Sequence, residues 1–151
     1  MEFFDVVKNR YSCKKFDGRQ VDAAQLKAIL EAGRLAPTAK NLQEQKIYVV
    51  QSAQGLAKID AVTPCRYGAP TVLIVAFDKN NVFVYPGGKR DSGVESCWLN
   101  FFDPEAVAKE FALPENEEVL MLLDLGYAAE GAKPLATHSQ RKPLAETVQY
   151  R

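Results

Sequence analysis

The run Thr71–Phe77, TVLIVAF, constrains the fold of this chain more than any other stretch. It carries no charge and no alternation of apolar with polar residues. A strand with one face in water alternates; one that does not is covered on both faces. The chain is therefore expected to form a sheet sandwiched between other layers, with this strand inside it. Lys46–Gln51 supplies a second strand through Ile47, Tyr48, Val49 and Val50, a β-rich run. Val119–Leu125 reads as a last buried strand, and Val82–Tyr85 as a short one after the Asn80-Asn81 turn. At 151 residues the chain has the length of one domain, and a single domain over 1–151 is expected.

Helices are predicted between these strands. Phe3, Phe4, Val6 and Val7 give Glu2–Asn9 the pattern of a short helix with a buried face. Asp22 can cap a second helix while Gln25 reaches back to it, as in a capping box. Leu26, Ile29, Leu30 and Gly33 then fall on one stripe, and Pro37 stops the helix by pushing its predecessor out of the α region. Gln54–Asp60 adds another turn or two. Asp103 caps a further helix that has Pro104 at its first position, Val107 and Phe111 inside, and Pro114 beyond its end. Helices and strands interleave without a strict βαβ rhythm, and no GxGxxG follows a strand. The expected class is α+β: an α/β sandwich whose mixed sheet is covered by helices, not a Rossmann domain.

Composition removes several functions. Nineteen acidic residues balance nineteen basic ones, so neither nucleic acid nor an anionic membrane is the expected partner. No apolar run approaches the ~20 residues that span a bilayer. The opening MEFFDVVKNR has early acids and lacks a small-residue cleavage site, unlike a secretory signal. Cys13, Cys65 and Cys97 are odd in number and far apart, which fits a reducing cytoplasm better than a disulfide framework. The one histidine, His138, lies in the polar stretch THSQRK and reads as solvated or as a phosphate neighbour. No metal-ligand set and no catalytic side chain is assigned.

What remains is a binding pattern between Arg10 and Val50. Arg10, Ser12, Lys14 and Lys15 fall within six residues. Together they offer a planar fork, a short hydroxyl and mobile point charges, a donor set suited to an anion with several oxygens. Pro37, Thr38, Asn41 and Gln43 form a second set, able to bond a planar ligand rich in heteroatoms. Taken singly, each set also has a plain reading: a solvated charge run for the first, a helix stop and turn for the second. Trp98 reads as core packing, Cys97 and Cys65 as small buried hydrophobes, and Asp103-Pro104 as a helix start.

The two sets occur together with others. Arg10-Tyr11-Ser12-Cys13-Lys14 is followed by Ala36-Pro37-Thr38-Ala39-Lys40-Asn41-Leu42-Gln43, then by Ala69-Pro70 before TVLIVAF. Cys97-Trp98 leads to the FDPE of Phe102–Glu105, Leu125-Gly126-Tyr127 ends a strand, and Arg141-Lys142-Pro143-Leu144 closes the series. This order resembles the nitroreductase family of FMN-dependent oxidoreductases, whose members carry RxSxR/K, APSxxNxQ and the later segments in this sequence. The resemblance implies an FMN-dependent NAD(P)H oxidoreductase, a homodimer that reduces nitroaromatics, quinones or flavins by a ping-pong hydride-transfer cycle. NADH or NADPH would be the donor and a small molecule the acceptor. The alternative it leaves open is a flavin-binding or structural relative without NAD(P)H turnover.

By the same resemblance Arg10, Ser12 and Arg141 would hold the FMN phosphate, with Tyr11 beside them and His138 or Gln140 near. Lys14 would lie by the pyrimidine edge of the flavin, where reduction leaves negative charge that a cation stabilises. Pro37, Thr38, Ala39, Asn41 and Gln43 would reach the flavin from the partner subunit. The backbone around Leu99, Asn100 and Phe101 would bond the flavin nitrogen that accepts hydride. The stretch RDSGVESCW departs from the family, because a helix of ~20 residues, ~30 Å long, is missing between Val94 and Glu95. Either a segment has been left out there, which the intact flanks favour, or the protein carries an internal deletion. Lys14 also stands where Arg is common, and Tyr11 where a basic residue is common.

Overall fold

The structure is a computed structural model that describes residues 2–36, 38, 41–84, 90–91, 102–134, 136 and 143. TVLIVAF is the middle strand of its sheet. Strand β2 (Thr71–Asp78) is buried at every position up to Phe77. On one side it pairs antiparallel with β1 (Gln45–Val50), from Gln45 opposite Phe77 to Val50 opposite Val72. On the other it pairs antiparallel with β5 (Glu117–Leu125), from Thr71 opposite Leu125 to Asp78 opposite Glu117. The register of this second pair shifts between Val75 and Ala76, where Leu120 is the extra residue. The order is β1-β2-β5, and a two-stranded hairpin of β3 (Phe83–Val84) and β4 (Arg90–Asp91) stands apart.

The α+β class expected from the sequence holds. The described strand pairs are all antiparallel, so the parallel pairing that a mixed sheet requires is not among the described residues. The cause lies in the link from β1 to β2. Helix α3 (Ala53–Val62) would by itself make a parallel crossover, but a 3₁₀ turn at Pro64–Arg66 follows it. Tyr67 and Gly68 then take φ of 53° and 79°, and the chain enters β2 in the reverse sense.

One face of the sheet carries the core. Val50, Val72, Ile74, Val119 and Leu122 meet Ile59 of α3 and Val107 of α4 (Pro104–Glu110), all buried. Each such aliphatic side chain contributes about 1.5–3 kcal/mol. Asp103 caps α4 as predicted, accepting from the amides of Glu105 and Ala106. The opposite face is met by α2 (Ala23–Leu35), and a Cβ placed on Gly33 would sit 3.3 Å from Ile47 Cδ1. Glycine there lets helix and strand approach.

Three expectations about the helices need correction. Asp22 does cap α2, through the amides of Ala24 and Gln25. Gln25 does not complete a capping box, because its side-chain oxygen takes the hydroxyl of Tyr127 instead. The stripe Leu26, Leu30 and Gly33 is only half-buried, and Ile29 is 37% exposed. Helix α1 (Phe3–Asn9) forms, but it buries none of its residues, and Phe3 and Phe4 are 72% and 70% exposed. Its apolar face is left largely in solvent by the described residues.

Candidate functional site

Three motifs that lie far apart in sequence meet at one end of the sheet. Residues 15–17 lie along 127–129 like a short added strand. Phe16 bridges Ala128, the Asp17 amide donates to the Tyr127 carbonyl at 2.9 Å, and the Ala129 amide to Lys15 at 3.0 Å. Lys15 Nζ adds a bond to the Glu130 carbonyl at 3.2 Å. From the other side, the Phe16 amide donates to the Tyr67 carbonyl at 3.3 Å. Gly126 closes the junction. A Cβ on it would fall 2.8 Å from Pro70 Cδ and 2.9 Å from Phe16 Cδ1, so no larger residue fits without movement. The RxSxK segment is thus seated by the Ala69-Pro70 turn and the Leu125-Gly126-Tyr127 strand end.

The donors on that segment face outward. Arg10, Ser12 and Lys14 are exposed, and among the described residues none of the three side chains donates a hydrogen bond or joins an ion pair. Lys14 Nζ lies over the Tyr67 ring, 5.7 Å from its centre. Tyr11 and Cys13 are half-buried, and the Cys13 thiol donates to the Lys15 carbonyl. A multiply charged anion with several oxygens suits this set, because its donors lose only water when it binds.

The second set stands beyond the other end of α2, a helix of 13 residues and so ~20 Å long. Thr38 organises it: its hydroxyl accepts from the Gln43 amide and its carbonyl from the Asn41 amide, both at 3.0 Å. Asn41 and Gln43 hold φ of 56° and 51°, left-handed positions that strain a side chain-bearing residue. Their side-chain amides are exposed, and among the described residues no contact joins this loop to Arg10, Ser12 or Lys14. Pro37, Ala39, Leu99, Asn100, Phe101 and Arg141, with His138 and Gln140, lie outside the described residues.

Sequence reading did not single out the charged cluster behind the segment. Arg66 bonds Asp60 through two nitrogens, at 2.7 and 2.6 Å, and gives a third to the Ala69 carbonyl at 2.7 Å. Asp124 of β5 sits close by, with both carboxylate oxygens buried and without a hydrogen-bond partner. Burial pushes its carboxyl up to about 7; Arg66 pulls it down and Asp60 pushes it further up. A lone Asp inside VLMLLDLGY was the available signal. Cys65, expected to be a buried hydrophobe, is half-buried beside Tyr67, and their hydrogen bond is the first cause of a raised Tyr67 hydroxyl. At the far end of the sheet Glu44 is 2% exposed with both oxygens unpartnered. There Tyr48 donates to Glu117, and burial first, then that bond, pushes its hydroxyl up to about 12.

An open groove of about 410 Å³ runs between α2 and the end of β5, bounded by Val21, Gln25 and Ile29 on one side and Leu125, Gly126 and Tyr127 on the other. Arg19 stacks on Tyr127 at its rim, 4.6 Å from the ring centre, and is paired with Asp17. Among the described residues no group of three or more His, Cys, Asp or Glu could hold a metal, and no helix is long and apolar enough to cross a membrane.

Comparison with known proteins gives this arrangement a context. A model of the nitroreductase family matches residues 7–65, which include both donor sets. The crystal structure of a nitroreductase family protein from Clostridium difficile 630 superposes with a TM-score of 0.87 at 31% identity, covering 99% of this chain and 98% of that one. A provisionally assigned nitroreductase of Exiguobacterium sibiricum 255-15, solved in complex with FMN, shares the fold with a TM-score of 0.80 at 17% identity, over 100% of this chain and 98% of that one. A protein of Methanothermobacter thermautotrophicus, provisionally named NADH dehydrogenase/NAD(P)H nitroreductase, is 25% identical over 154 aligned positions, covering 86% of this chain and 79% of its own length. Since 86% of 151 residues is about 130, some 24 of those positions face no residue of this chain.

Proposed function

The chain belongs to the nitroreductase family, and from that premise we propose that it is an FMN-dependent NAD(P)H oxidoreductase. The observation that carries this reading is the outward donor set of Arg10, Ser12 and Lys14, seated on Gly126 and the Tyr67 turn. FMN is the cofactor with which the Exiguobacterium relative was solved, and its phosphate fits three side chains that, among the described residues, donate no hydrogen bond and join no ion pair. When bound, FMN supplies a two-electron relay from NADH or NADPH to a nitroaromatic, a quinone or a second flavin in a ping-pong cycle.

The work of this chain is then to hold and to bias. Arg10 and Ser12, with Arg141 and Tyr11, grip the phosphate. Lys14 places a cation by the pyrimidine edge, where it favours the charge of the reduced state. Leu99 and Asn100 offer backbone to the flavin. Pro37, Thr38, Ala39, Asn41 and Gln43 complete the site from a second copy, which accounts for a loop ~20 Å of helix away from its own chain's phosphate set. The exposed apolar face of α1 supports a homodimer. Residues 1–151 act as one domain, and the cysteine pattern supports a cytoplasmic setting.

The test is the visible spectrum of protein mixed with FMN and freed of excess, followed anaerobically on addition of each nicotinamide. Retained flavin that bleaches with NADH or NADPH and recovers with a quinone or nitroaromatic is the expected result. One observation favours a second reading, a flavin-binding relative without NAD(P)H turnover: the ~24 positions of the Methanothermobacter alignment that this chain does not fill. Retained flavin that neither nicotinamide bleaches would decide for it.

A further inference from the structure

We propose that Asp124 is a proton-operated latch on the Lys14–Asp17 segment: protonated, it leaves Arg66 on Asp60 and Ala69 and the segment seated; ionised, it competes for Arg66 and loosens the seat. The inference rests on the phosphate reading of that segment for its functional consequence, though not for the latch itself.

Three features of the geometry carry it. First, one guanidinium acts on two carboxylates, bonded to Asp60 and within charge range of Asp124. Arg66 spends Nε and one terminal nitrogen on Asp60 and the other on the Ala69 carbonyl, leaving Asp124 with two buried, unpartnered oxygens. An ionised carboxylate in such a place is held at a penalty unless a donor turns to it. Second, Arg66, whose charge acts on Asp124, belongs to the turn that seats the segment. Tyr67 and Gly68, next to Arg66, are at positive φ, and the Tyr67 carbonyl accepts the Phe16 amide while its ring lies under Lys14. A shift of Arg66 away from Ala69 therefore moves the support of Phe16 and Lys14. Third, Asp60 is half-exposed, so water can solvate it when Arg66 leaves, and the exchange strands no buried charge.

Among the described residues, the charged and titratable groups around Asp124 are few. Asp60 comes from α3, and Arg66 and Tyr67 from the turn, with Cys65 bonded to Tyr67. Its strand partner on β2 is Val72, which contributes none. Burial pushes the Asp124 carboxyl up to about 7, which places the exchange in the physiological range.

The experiment uses the intact chain, and its first readout needs no flavin. Hydrogen–deuterium exchange of the Phe16 amide, corrected for intrinsic rate, is followed from pH 5.5 to 8.5. Its protection should fall about tenfold across a one-proton transition near pH 7. Asp124→Asn should be flat across that range. Asp60→Asn, on an exposed site that folding tolerates, frees Arg66 for Asp124 and should move the midpoint down by about half a pH unit or more. FMN affinity by fluorescence quenching is the second readout, and it should weaken over the same interval in wild type but not in Asp124→Asn. Protection that follows Asp124 while FMN binds at no pH upholds the latch and sinks the flavin reading. FMN binding with protection that ignores pH, or that changes equally in wild type and Asp60→Asn, overturns the latch. If Asp124→Asn does not fold, the Asp60→Asn shift decides alone.

Discussion

Arg10 and Lys14 stand four residues apart, with side chains that donate no hydrogen bond among the described residues, yet they are expected to do different things to a bound flavin. Arg10 offers a fork to the phosphate, so Arg10→Ala should weaken FMN binding by ~1.5–3 kcal/mol, the scale of a charge-assisted hydrogen bond. The phosphate is remote from the ring, and reduction of whatever flavin remains should change little. Equilibrium dialysis with FMN checks the first part, and unchanged affinity would displace the phosphate from this segment. On the proposed reading Lys14 acts on the ring. Its loss removes a cation that favours the reduced state over the oxidised one, so Lys14→Met should lower the midpoint potential by roughly 20–45 mV, or ~1–2 kcal/mol for a two-electron couple. Lys14→Arg should keep it. A potential that moves in neither variant would make Lys14 a plain surface charge resting on Tyr67. Asp124 gives a third test at this scale, in stability. Its folded carboxyl titrates at about 7, above the ~3.9 of an unfolded Asp. The folded state therefore keeps a proton that the unfolded chain has released. Full stability is present below about pH 4 and falls as pH rises through 7. Asp124→Asn should be ~2 kcal/mol more stable than wild type at pH 8, after allowance for partial solvent screening, and nearly equal to it at pH 4. Urea denaturation at the two pH values measures this, and equal stability at both would show that Asp124 is not held protonated.

At the scale of elements, the seat of the RxSxK segment depends on a residue without a side chain. A methyl on Gly126 would press on Pro70, which is buried, and on Phe16, which the segment can move. Gly126→Ala should therefore cost about 1–3 kcal/mol of stability, the range for overpacking, and should loosen FMN as well, since the yielding partner belongs to the phosphate segment. Normal stability with normal FMN affinity would mean that Phe16 is not what seats the segment. How legible these elements were from sequence follows from what each depends on. β2 was plain because burial on both faces leaves an unbroken apolar run. The caps at Asp22 and Asp103 were plain because they act within three residues. Gln25 misled, since its local capping partner competes with Tyr127, a hundred residues away, and only the fold brings that hydroxyl near. The antiparallel entry of β2 turned on Tyr67 and Gly68 at positive φ, and a Tyr in that conformation leaves no mark in the sequence. The candidate donors Arg10, Ser12 and Lys14 could be named from their residue types. Their support by Phe16 and Tyr67 could not, because it is built from contacts over fifty residues and more.

At the scale of the molecule, the apolar surface left outside decides what this chain does in solution. Helix α1 has seven residues, too few to persist alone in water, and turns Phe3, Phe4, Val6 and Val7 outward. Val49 on β1 is 40% exposed and Ile29 on α2 is 37% exposed, beside the groove between α2 and β5. On the proposed reading a second copy would cover α1 and at the same time bring the Thr38–Gln43 loop to the other subunit's flavin. Dimerisation and flavin binding are then linked: a twofold contact uses each residue twice, and whatever separates the subunits removes half of each site. Burying a Phe is worth about 1.5–3 kcal/mol, so Phe4→Glu, which loses two, should raise the dimer dissociation constant by about 10²–10⁴-fold. FMN affinity should fall with it at a protein concentration where the wild type is dimeric, and should recover as the variant is concentrated. Phe4→Leu should change both far less. Sedimentation velocity over a range of concentrations, with and without FMN, measures the linkage from both ends, because filling both sites must tighten the dimer by the square of the factor by which the dimer tightens each FMN. A wild-type monomer at micromolar concentration that binds FMN with full affinity would break the linkage and confine the site to one chain.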